Sequence, residues 1–450
     1  MRLPRFASAF RRRLRRQYFT PLELAAIARN PSYRAPAAAD LRDEFVFQSP
    51  GPHASPEDWG ARDLVYRDGQ LAGLSMSGRA FIAARHWIEQ RAVMEARLVA
   101  VQPYIEELAD CPQLAQLRRL DLTGCRIGVY GAKALAASPF LGQLRELILS
   151  KNDLGNEGLL TIAAAPWFAD LTVLKLAGNN LGQPDSLAKC VGLRELDLSK
   201  NRLESPFELP TGPRRLVLSE CSLGPASIER HAAAGLFNSV VDLDISFNGI
   251  GPGGVAPLAG LRDCRRLNLA FNDIEDAGLE LLDEGEGPLE WLDLSSNRLT
   301  SVAMAAMAHS RAFEAVQTLK VATNSIGDAG AMELMQSERL GSLADLDVSN
   351  CGLTDEGIAA LARSGTLGGL TRLSLAWNAI DDDGLRALAT CPDLAALREL
   401  DLTGTPIGYA GASALRDSSC LASLRSVRLG EMERLPADGV ALLRERYNIE

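Results

Sequence analysis

Apolar residues recur at a fixed spacing along most of this chain, between Leu117 and Leu429. Each unit reads L-x-x-L-x-L-x-x-N/C-x-L/I, and roughly 27 residues separate one copy from the next. The second and third leucines alternate with a more polar residue, which is the period of two expected for a strand with one buried face. The pattern predicts about twelve units and a closing strand, with first positions at Leu117, Leu144, Leu171, Leu193, Pro213, Val240, Cys264, Leu289, Val316, Leu343, Leu370, Leu397 and Leu424.

A second pattern follows the Asn or Cys of each unit and predicts a helix. In residues 326–330, for example, an Asp comes between two glycines and before a run rich in Ala and other apolar residues. Anionic side chains suit a helix N-terminus because they interact favourably with the helix dipole. The glycine lets the helix approach its neighbour closely. Each unit is therefore predicted to hold one strand, one turn and one helix, which gives an α/β fold.

Two types of unit alternate in the second half of the array. An Asp recurs on every second strand, and an Ala marks the units between, at Asp244, Asp293, Asp347 and Asp401 and at Ala270, Ala322 and Ala376. This alternation resembles the ribonuclease-inhibitor class of leucine-rich repeat proteins over roughly residues 117–450, with a unit length nearest to the bacterial arrays. The resemblance implies a right-handed solenoid shaped like a horseshoe, with a parallel sheet on the concave face and helices on the convex face. It implies little about activity, because the class includes inhibitors, immune receptors and Ran GTPase activators.

The pattern and composition divide the chain into four regions. Residues 1–60 are basic and rich in Ala and Pro, and we expect them to be partly disordered. Residues 61–116 are predicted to form an N-terminal cap, 117–429 the repeat array, and 430–450 a C-terminal capping helix, since a solenoid must cover its terminal apolar faces. Units shorten after Leu171 and Leu193, where Pro206, Pro210 and Pro213 replace the helical segment. We expect flatter curvature there.

The asparagines that follow the strands are predicted to support the turns. A side-chain amide both donates and accepts hydrogen bonds, so it can satisfy backbone groups of its own turn and of the next unit. Stacked units should then form a ladder of buried asparagines at Asn152, Asn179, Asn201, Asn248, Asn272, Asn297, Asn324 and Asn378.

Composition and motifs argue against an enzyme, a nucleic-acid-binding protein or a membrane-spanning protein. The net charge is −10, whereas nucleic acid affinity rests on neutralising phosphates. No apolar run is long enough to span a bilayer, and we expect a cytoplasmic protein. The eight cysteines show no metal-ligand spacing and are expected to be free, buried thiols. The four histidines are scattered and are expected to be exposed, so neither a catalytic constellation, a metal site nor a cofactor site is predicted.

The exposed strand positions predict a protein-binding face. Aromatic residues that face away from the core of a solenoid have no packing role inside it, and such residues often anchor protein interfaces. Charged residues of both signs lie beside them. The predicted partner-binding residues are Phe247, Phe271, Trp291, Trp377, Asp244, Asp293 and Arg266.

These features favour a non-enzymatic scaffold that binds a partner protein on the concave face, centred near the sixth to eighth units. The alternative is a GTPase activator of the Ran-activating kind, which shares the repeat class. The arginines and asparagines recur throughout the array and single out no catalytic position for that alternative.

We expect the N-terminal arginines to contact anionic surfaces weakly, because no acidic residue accompanies them before Glu23. Each arginine should contribute about 1 kcal/mol at an acidic membrane. Co-sedimentation with anionic vesicles should therefore be weaker for a chain that begins near Asp63 than for the full chain. Equal binding by the two chains would contradict this. The arginines are Arg2, Arg5, Arg11, Arg12, Arg13, Arg15 and Arg16.

Overall fold

The described strands form one open sheet in which each strand pairs with its neighbours in sequence. The computed structural model describes residues 54–203, 205–207, 209, 212–283, 287–362, 368–430 and 435–449. Almost all of the predicted 1–60 segment, including the arginine run, lies outside them. The sheet has 17 strands among the described residues. The first two strands are antiparallel, and every later pairing is parallel.

The strands match the predicted unit positions. A hairpin of β1 (Arg62–Arg67) and β2 (Gln70–Ser77) precedes β3 (Glu95–Val99). Short strands follow, one for each first position named above: β4 (Arg119–Asp121), β5 (Glu146–Ile148), β6 (Val173–Lys175), β7 (Glu195–Asp197), β8 (Arg215–Val217), β9 (Asp242–Asp244), β10 (Arg266–Asn268), β11 (Trp291–Asp293), β12 (Thr318–Lys320), β13 (Asp345–Asp347), β14 (Arg372–Ser374), β15 (Glu399–Asp401), β16 (Ser426–Arg428) and finally β17 (Asn448–Ile449). The predicted α/β solenoid with a parallel sheet is confirmed.

The helices also recur, in the segments that lead from one strand to the next. Most of them pack against the helix of a neighbouring unit. They are α1 (Gly78–Ala83), α2 (Arg85–Glu89), α3 (Ile105–Ala109), α4 (Gly128–Ala137), α5 (Gly155–Ile162), α6 (Pro225–Ala233), α7 (Glu275–Asp283), α8 (Ser301–His309), α9 (Gly327–Met335), α10 (Asp355–Leu361), α11 (Asp382–Ala389), α12 (Tyr409–Asp417) and α13 (Ala437–Arg444).

The core lies between the sheet and the helices. The central residue of each short strand points into it, and Leu243, Leu267 and Leu292 are each at most 1% exposed. These leucines stand directly opposite one another in the parallel register of β9, β10 and β11. Leu279 of α7 faces the same core and is 1% exposed. The alternating pattern therefore places one residue of each strand inside and leaves its two neighbours on the solvent side.

Two departures from the regular unit follow from proline and glycine. In the third unit a 3₁₀ helix at Asp185–Lys189 replaces the α-helix, in a stretch that the sequence marked as shortened. The sixth unit was expected to hold a helix after its turn, but it forms the 3₁₀ helices Pro252–Gly254 and Ala256–Leu258 instead. Proline removes a backbone donor and glycine disfavours a helix interior, which explains the difference.

The acidic residues at the helix starts bind the next unit. Asp328 accepts hydrogen bonds from the backbone N–H of Thr354 at 2.8 Å and from its hydroxyl at 2.6 Å. A Cβ at Gly357 would lie 2.2 Å from Oδ1 of Asp328, so a larger residue there would displace this carboxylate from its bonds. The same bond recurs in the next unit, where Asp355 accepts from the N–H of Asp381 at 2.9 Å and also from that of Gly384 at 3.0 Å. The role expected from the helix dipole is therefore accompanied by a direct bond between units.

The asparagines after the strands lie in buried turns, and Asn272 shows their arrangement. Its Nδ2 donates to the carbonyls of Ile245 and Leu269, both at 3.0 Å. Its Oδ1 accepts from the backbone N–H of Asn248 at 2.9 Å. One amide thus joins its own strand to the preceding unit. All eight are at most 7% exposed, and where Cys351 takes this position its thiol donates to the Val321 carbonyl at 3.2 Å.

Replacing Asn272 with alanine should lower the free energy of unfolding by about 1–3 kcal/mol, because buried backbone groups lose their partners. Chemical denaturation of the purified chain measures this. Asn238→Ala, at an exposed asparagine outside the ladder, is the control and should change stability much less. A cost below about 0.5 kcal/mol at Asn272 would show that water satisfies these groups.

Candidate functional site

The solvent side of the short strands carries two rows of side chains in fixed register. One row runs through the first residue of each strand, so that Asp242, Arg266 and Trp291 lie side by side on β9, β10 and β11. The other runs through the third residue, where Asp244, Asn268 and Asp293 lie side by side. Neighbouring strands lie about 4.8 Å apart, which brings adjacent side chains of a row within contact distance.

The aspartates of the second row hold the turn that ends each strand. Oδ1 of Asp244 accepts from the backbone N–H of Ser246 at 2.9 Å and from its hydroxyl at 2.7 Å. Asp293 accepts from the N–H of Ser295 at 2.9 Å. The same local bond occurs at Asp121, Asp197, Asp347 and Asp401. Sequence reasoning missed this role, although the recurring spacing D-x-S/T was visible.

The residue just before each turn Asn or Cys has a left-handed backbone. Its φ lies between 51° and 72° in every unit from Gly124 to Gly404. Glycine adopts this conformation without strain, and several units use it at this position. Phe247, Phe271 and Trp377 adopt it with φ of 58°. For residues with a Cβ this conformation costs roughly 1–2 kcal/mol. The backbone strain at these aromatic residues was not evident from the sequence.

Phe247 and Phe271 form an exposed stacked pair at the ends of β9 and β10. Their ring centroids are 4.0 Å apart and the ring planes differ by 11°. Each side chain remains 48% exposed. The stack contributes about 0.5–1.5 kcal/mol beyond the area that it buries, which offsets part of the backbone strain. The two rings act together as one apolar surface facing solvent.

The other predicted aromatic residues lie apart from this pair. Trp291 lies beside Arg266, at the start of β11. Arg266 comes five positions before Phe271 in its own unit, so Trp291 is at the opposite end of the strands from the phenylalanine pair. Trp377 is four units beyond Phe271, is 65% exposed, and lies so close to Gly404 that a Cβ there would be 2.5 Å from its ring. The structure therefore brings Phe247 and Phe271 together, and Trp291 with Arg266, but does not unite them in one aromatic cluster.

The small residues beside the phenylalanines do not leave open space at the sheet. Ser246 is 4% exposed and Ala270 is 7% exposed. The hydroxyl of Ser246 donates to Asp244 at 2.7 Å and lies 2.9 Å from the Ser219 hydroxyl, so it is used inside the turn. A partner would therefore contact the rings themselves and not the sheet between them.

Ion pairs cross the strands of the exposed face. Lys175 pairs with Glu195 at 2.7 Å and Arg372 with Asp345 at 2.6 Å. Asp242 lies between two cations, Arg215 at 3.7 Å and Arg266 at 3.8 Å. Exposed pairs of this kind stabilise little, but they balance charge along the face. The result is the mixed surface expected from the sequence.

One histidine was assigned to the wrong environment. His231 on α6 is 0% exposed, whereas the sequence suggested a surface position. Its Nδ1 lies 2.7 Å from the Ser227 carbonyl, and its ring packs edge-on against Phe207 at 5.5 Å. Burial lowers the pKa of this imidazole. The helix period alone could have placed it inward, because Ile228 three residues earlier is also buried.

The described residues include no group of three or more potential metal ligands. Burial raises the pKa of Cys190, Cys221 and Cys264 to about 12, which keeps these thiols protonated. Within the part of the chain that the structure describes, no helix has both the length and the apolar character needed to cross a membrane.

Comparisons with known proteins identify the repeat. Stretches of the chain match a family model for the leucine rich repeat at residues 115–136, 144–163, 238–259, 265–282, 342–362, 370–389 and 396–415. Each stretch contains one of the short parallel strands. An internalin (inlF) from Listeria monocytogenes is a structural neighbour with 18% identity and a TM-score of 0.42, covering 81% of this chain and 88% of that one. No curated protein matches the sequence.

Replacing Phe271 with glycine should leave the free energy of unfolding within about 1 kcal/mol of the original. Loss of the stack is offset by release of the left-handed strain. Thermal and chemical denaturation measure this. Leu269→Ala, two residues away and fully buried, is the control and should cost about 2–5 kcal/mol. A loss above about 3 kcal/mol for Phe271→Gly would instead show that the ring supports the fold.

Proposed function

We propose that this leucine-rich repeat protein is a non-enzymatic scaffold that binds a partner protein on the exposed face of its sheet. The Phe247–Phe271 pair is the anchor of that surface. The observation that supports it is the exposed stack at a backbone position where most other units carry glycine or a polar residue. Two adjacent units thus carry bulky, strained, water-exposed rings where the fold itself requires none.

Exposure of two adjacent aromatic rings favours a binding role over a packing role. The same left-handed position is occupied by Lys151 and Lys200 in other units, so the fold does not need a ring there, and a residue that only fills space has no reason to keep half its surface in water. Aromatic side chains have few rotatable bonds, so burying them against a partner loses little conformational entropy. Burying the exposed part of both rings would also bring a hydrophobic contribution that is absent in the free chain.

The rigid array suits such a surface. Phe247 and Phe271 each precede a buried asparagine whose amide bonds the neighbouring unit. The backbone that carries the rings is therefore fixed before a partner arrives, which limits the entropy lost on binding. The charged rows beside the pair form the polar surroundings typical of a protein interface.

The remaining sequence predictions belong to the same proposal. The net charge of −10 favours a protein partner over nucleic acid. Membership of the ribonuclease-inhibitor class and a cytoplasmic location stay predictions. The GTPase-activating alternative also stays a prediction, and measuring nucleotide hydrolysis by candidate small GTPases with and without the chain distinguishes it from a scaffold.

Phe271→Ala should weaken binding of the partner by about 2 kcal/mol or more, close to thirtyfold in the dissociation constant. The partner is first isolated with the unaltered chain as bait, and its affinity for purified variants is then measured by calorimetry. Tyr130→Ala is the matched control, because Tyr130 is a 60% exposed aromatic residue on helix α4. Equal affinity for Phe271→Ala and the unaltered chain would remove the pair from the interface.

A further inference from the structure

We propose that Lys320, whose ammonium group lies over the ring of Trp291, binds a carboxylate of an acidic segment of the partner protein. This inference rests on the proposed function, because it names the chemistry that the same face selects. It concerns a second contact, at the start of β11, separate from the phenylalanine pair. We call Arg266, Trp291 and Lys320 the cation–tryptophan site.

The indole of Trp291 holds two cations in place. The guanidinium carbon of Arg266 lies 4.6 Å from the ring centroid, and Nζ of Lys320 lies 5.4 Å from it. The ring face attracts positive charge, and both distances are within the range of this interaction. Long basic side chains otherwise lose considerable rotamer freedom when they bind a ligand. Here part of that freedom is already lost in the unbound chain.

Lys320 differs from the other cations that point to solvent from the short strands. Its neighbours on this face pair with carboxylates, as in Arg119–Glu146 at 2.7 Å, Lys175–Glu195 at 2.7 Å, Arg372–Asp345 at 2.6 Å and Arg428–Asp401 at 3.2 Å. Lys320 lies in register between Asp293 and Asp347. Yet it forms no ion pair within 4.0 Å with any carboxylate of the described residues.

The two flanking aspartates are committed to their own turns. Oδ1 of Asp293 accepts from the Ser295 N–H at 2.9 Å. Oδ1 of Asp347 accepts from the Ser349 N–H at 3.0 Å and from its hydroxyl at 2.5 Å. Each of these aspartates uses one carboxylate oxygen in its own turn, and the ammonium group of Lys320 lies over the ring of Trp291. Lys320 is therefore a positive charge that lacks a close counter-ion on the face.

The geometry favours a single carboxylate over a polyanion. Arg266 and Lys320 are the two cations at the ring, and Asp242, Asp293 and Asp347 surround them. A nucleic acid backbone would bring several phosphates against those carboxylates, in a chain whose net charge is −10. One Asp or Glu side chain can instead pair with Lys320 and leave the surrounding charges solvated. Charge complementarity thus predicts an acidic residue in the partner.

Selection of short random peptides displayed on phage tests the inference without knowledge of the partner. The immobilised full chain should enrich peptides that contain an acidic residue. The affinity of a synthetic selected peptide should fall about twofold to fivefold in Lys320→Gln, the size expected for an exposed charge pair. Higher salt should weaken binding as well. Lys320→Arg should retain binding, because it keeps the charge.

Two further variants make the test specific. Arg372→Gln removes a cation of the same row that is already paired with Asp345, and it should leave peptide affinity unchanged. Lys320→Glu should abolish binding of the acidic peptide and restore binding of a peptide whose acidic residue is replaced by lysine. This exchange of charge would not be expected if Lys320 only supported the fold.

The outcomes separate this inference from the proposed function. Enriched peptides that lack acidic residues but depend on Phe271 would overturn the carboxylate contact and support the phenylalanine anchor. Acidic peptides that depend on Lys320 but bind Phe271→Gly normally would support the contact, and the affinity of the partner protein for Phe271→Ala would decide the anchor separately. Enrichment no greater than on an unrelated protein would overturn both, and Lys320-dependent binding of a single-stranded RNA oligonucleotide would also overturn the carboxylate contact.

Discussion

The hydrogen bonds of the buried turn asparagines are the constraint on which the array depends. Each turn after a short strand lies away from water, and its backbone groups must find partners within the protein. Asn179 shows how this is met: its Nδ2 donates to Leu149 of the preceding unit and to Leu176 of its own, at 2.8 and 2.9 Å. Its backbone N–H donates to Oδ1 of Asn201 in the following unit at 2.9 Å. One residue type thus links three consecutive units.

This ladder explains the short strands and the regular register. The amide of each unit accepts from the backbone of the preceding unit at a fixed place, so the parallel strands align without slipping. Strands of three residues would otherwise pair weakly. Here the buried leucine at the centre of each strand and the hydrogen-bonded asparagine in the following turn stabilise the pairing. A second set of bonds, from acidic residues such as Asp328 to Thr354, fixes the helices of successive units in the same way.

The candidate binding surface follows from the same constraint. To bring the asparagine inward, the preceding residue adopts a left-handed conformation and projects its side chain to solvent. The position and direction of this side chain are therefore the same in every unit. Its residue type can vary, because the fold requires only the left-handed backbone conformation there. Phe247 and Phe271 occupy this position in adjacent units and stack. The first residues of the strands form another set of exposed positions. Trp291 occupies one of them, and Arg266 and Lys320 lie over its ring.

The sequence by itself determined the order and position of the strands, the inward leucines and the turn asparagines, because each depends on spacing within one unit. The helix predicted for the sixth unit was wrong, because Pro252 and Pro257 lead to 3₁₀ helices there in place of an α-helix. Only the tertiary structure decided which side chains meet between units. The stack of Phe247 on Phe271, the ammonium of Lys320 over Trp291 and the burial of His231 depend on distances across strands and helices, and no spacing along the chain encodes them. The physical reason is that a repeat pattern fixes where each side chain starts, whereas its contacts depend on the orientation that neighbouring units allow.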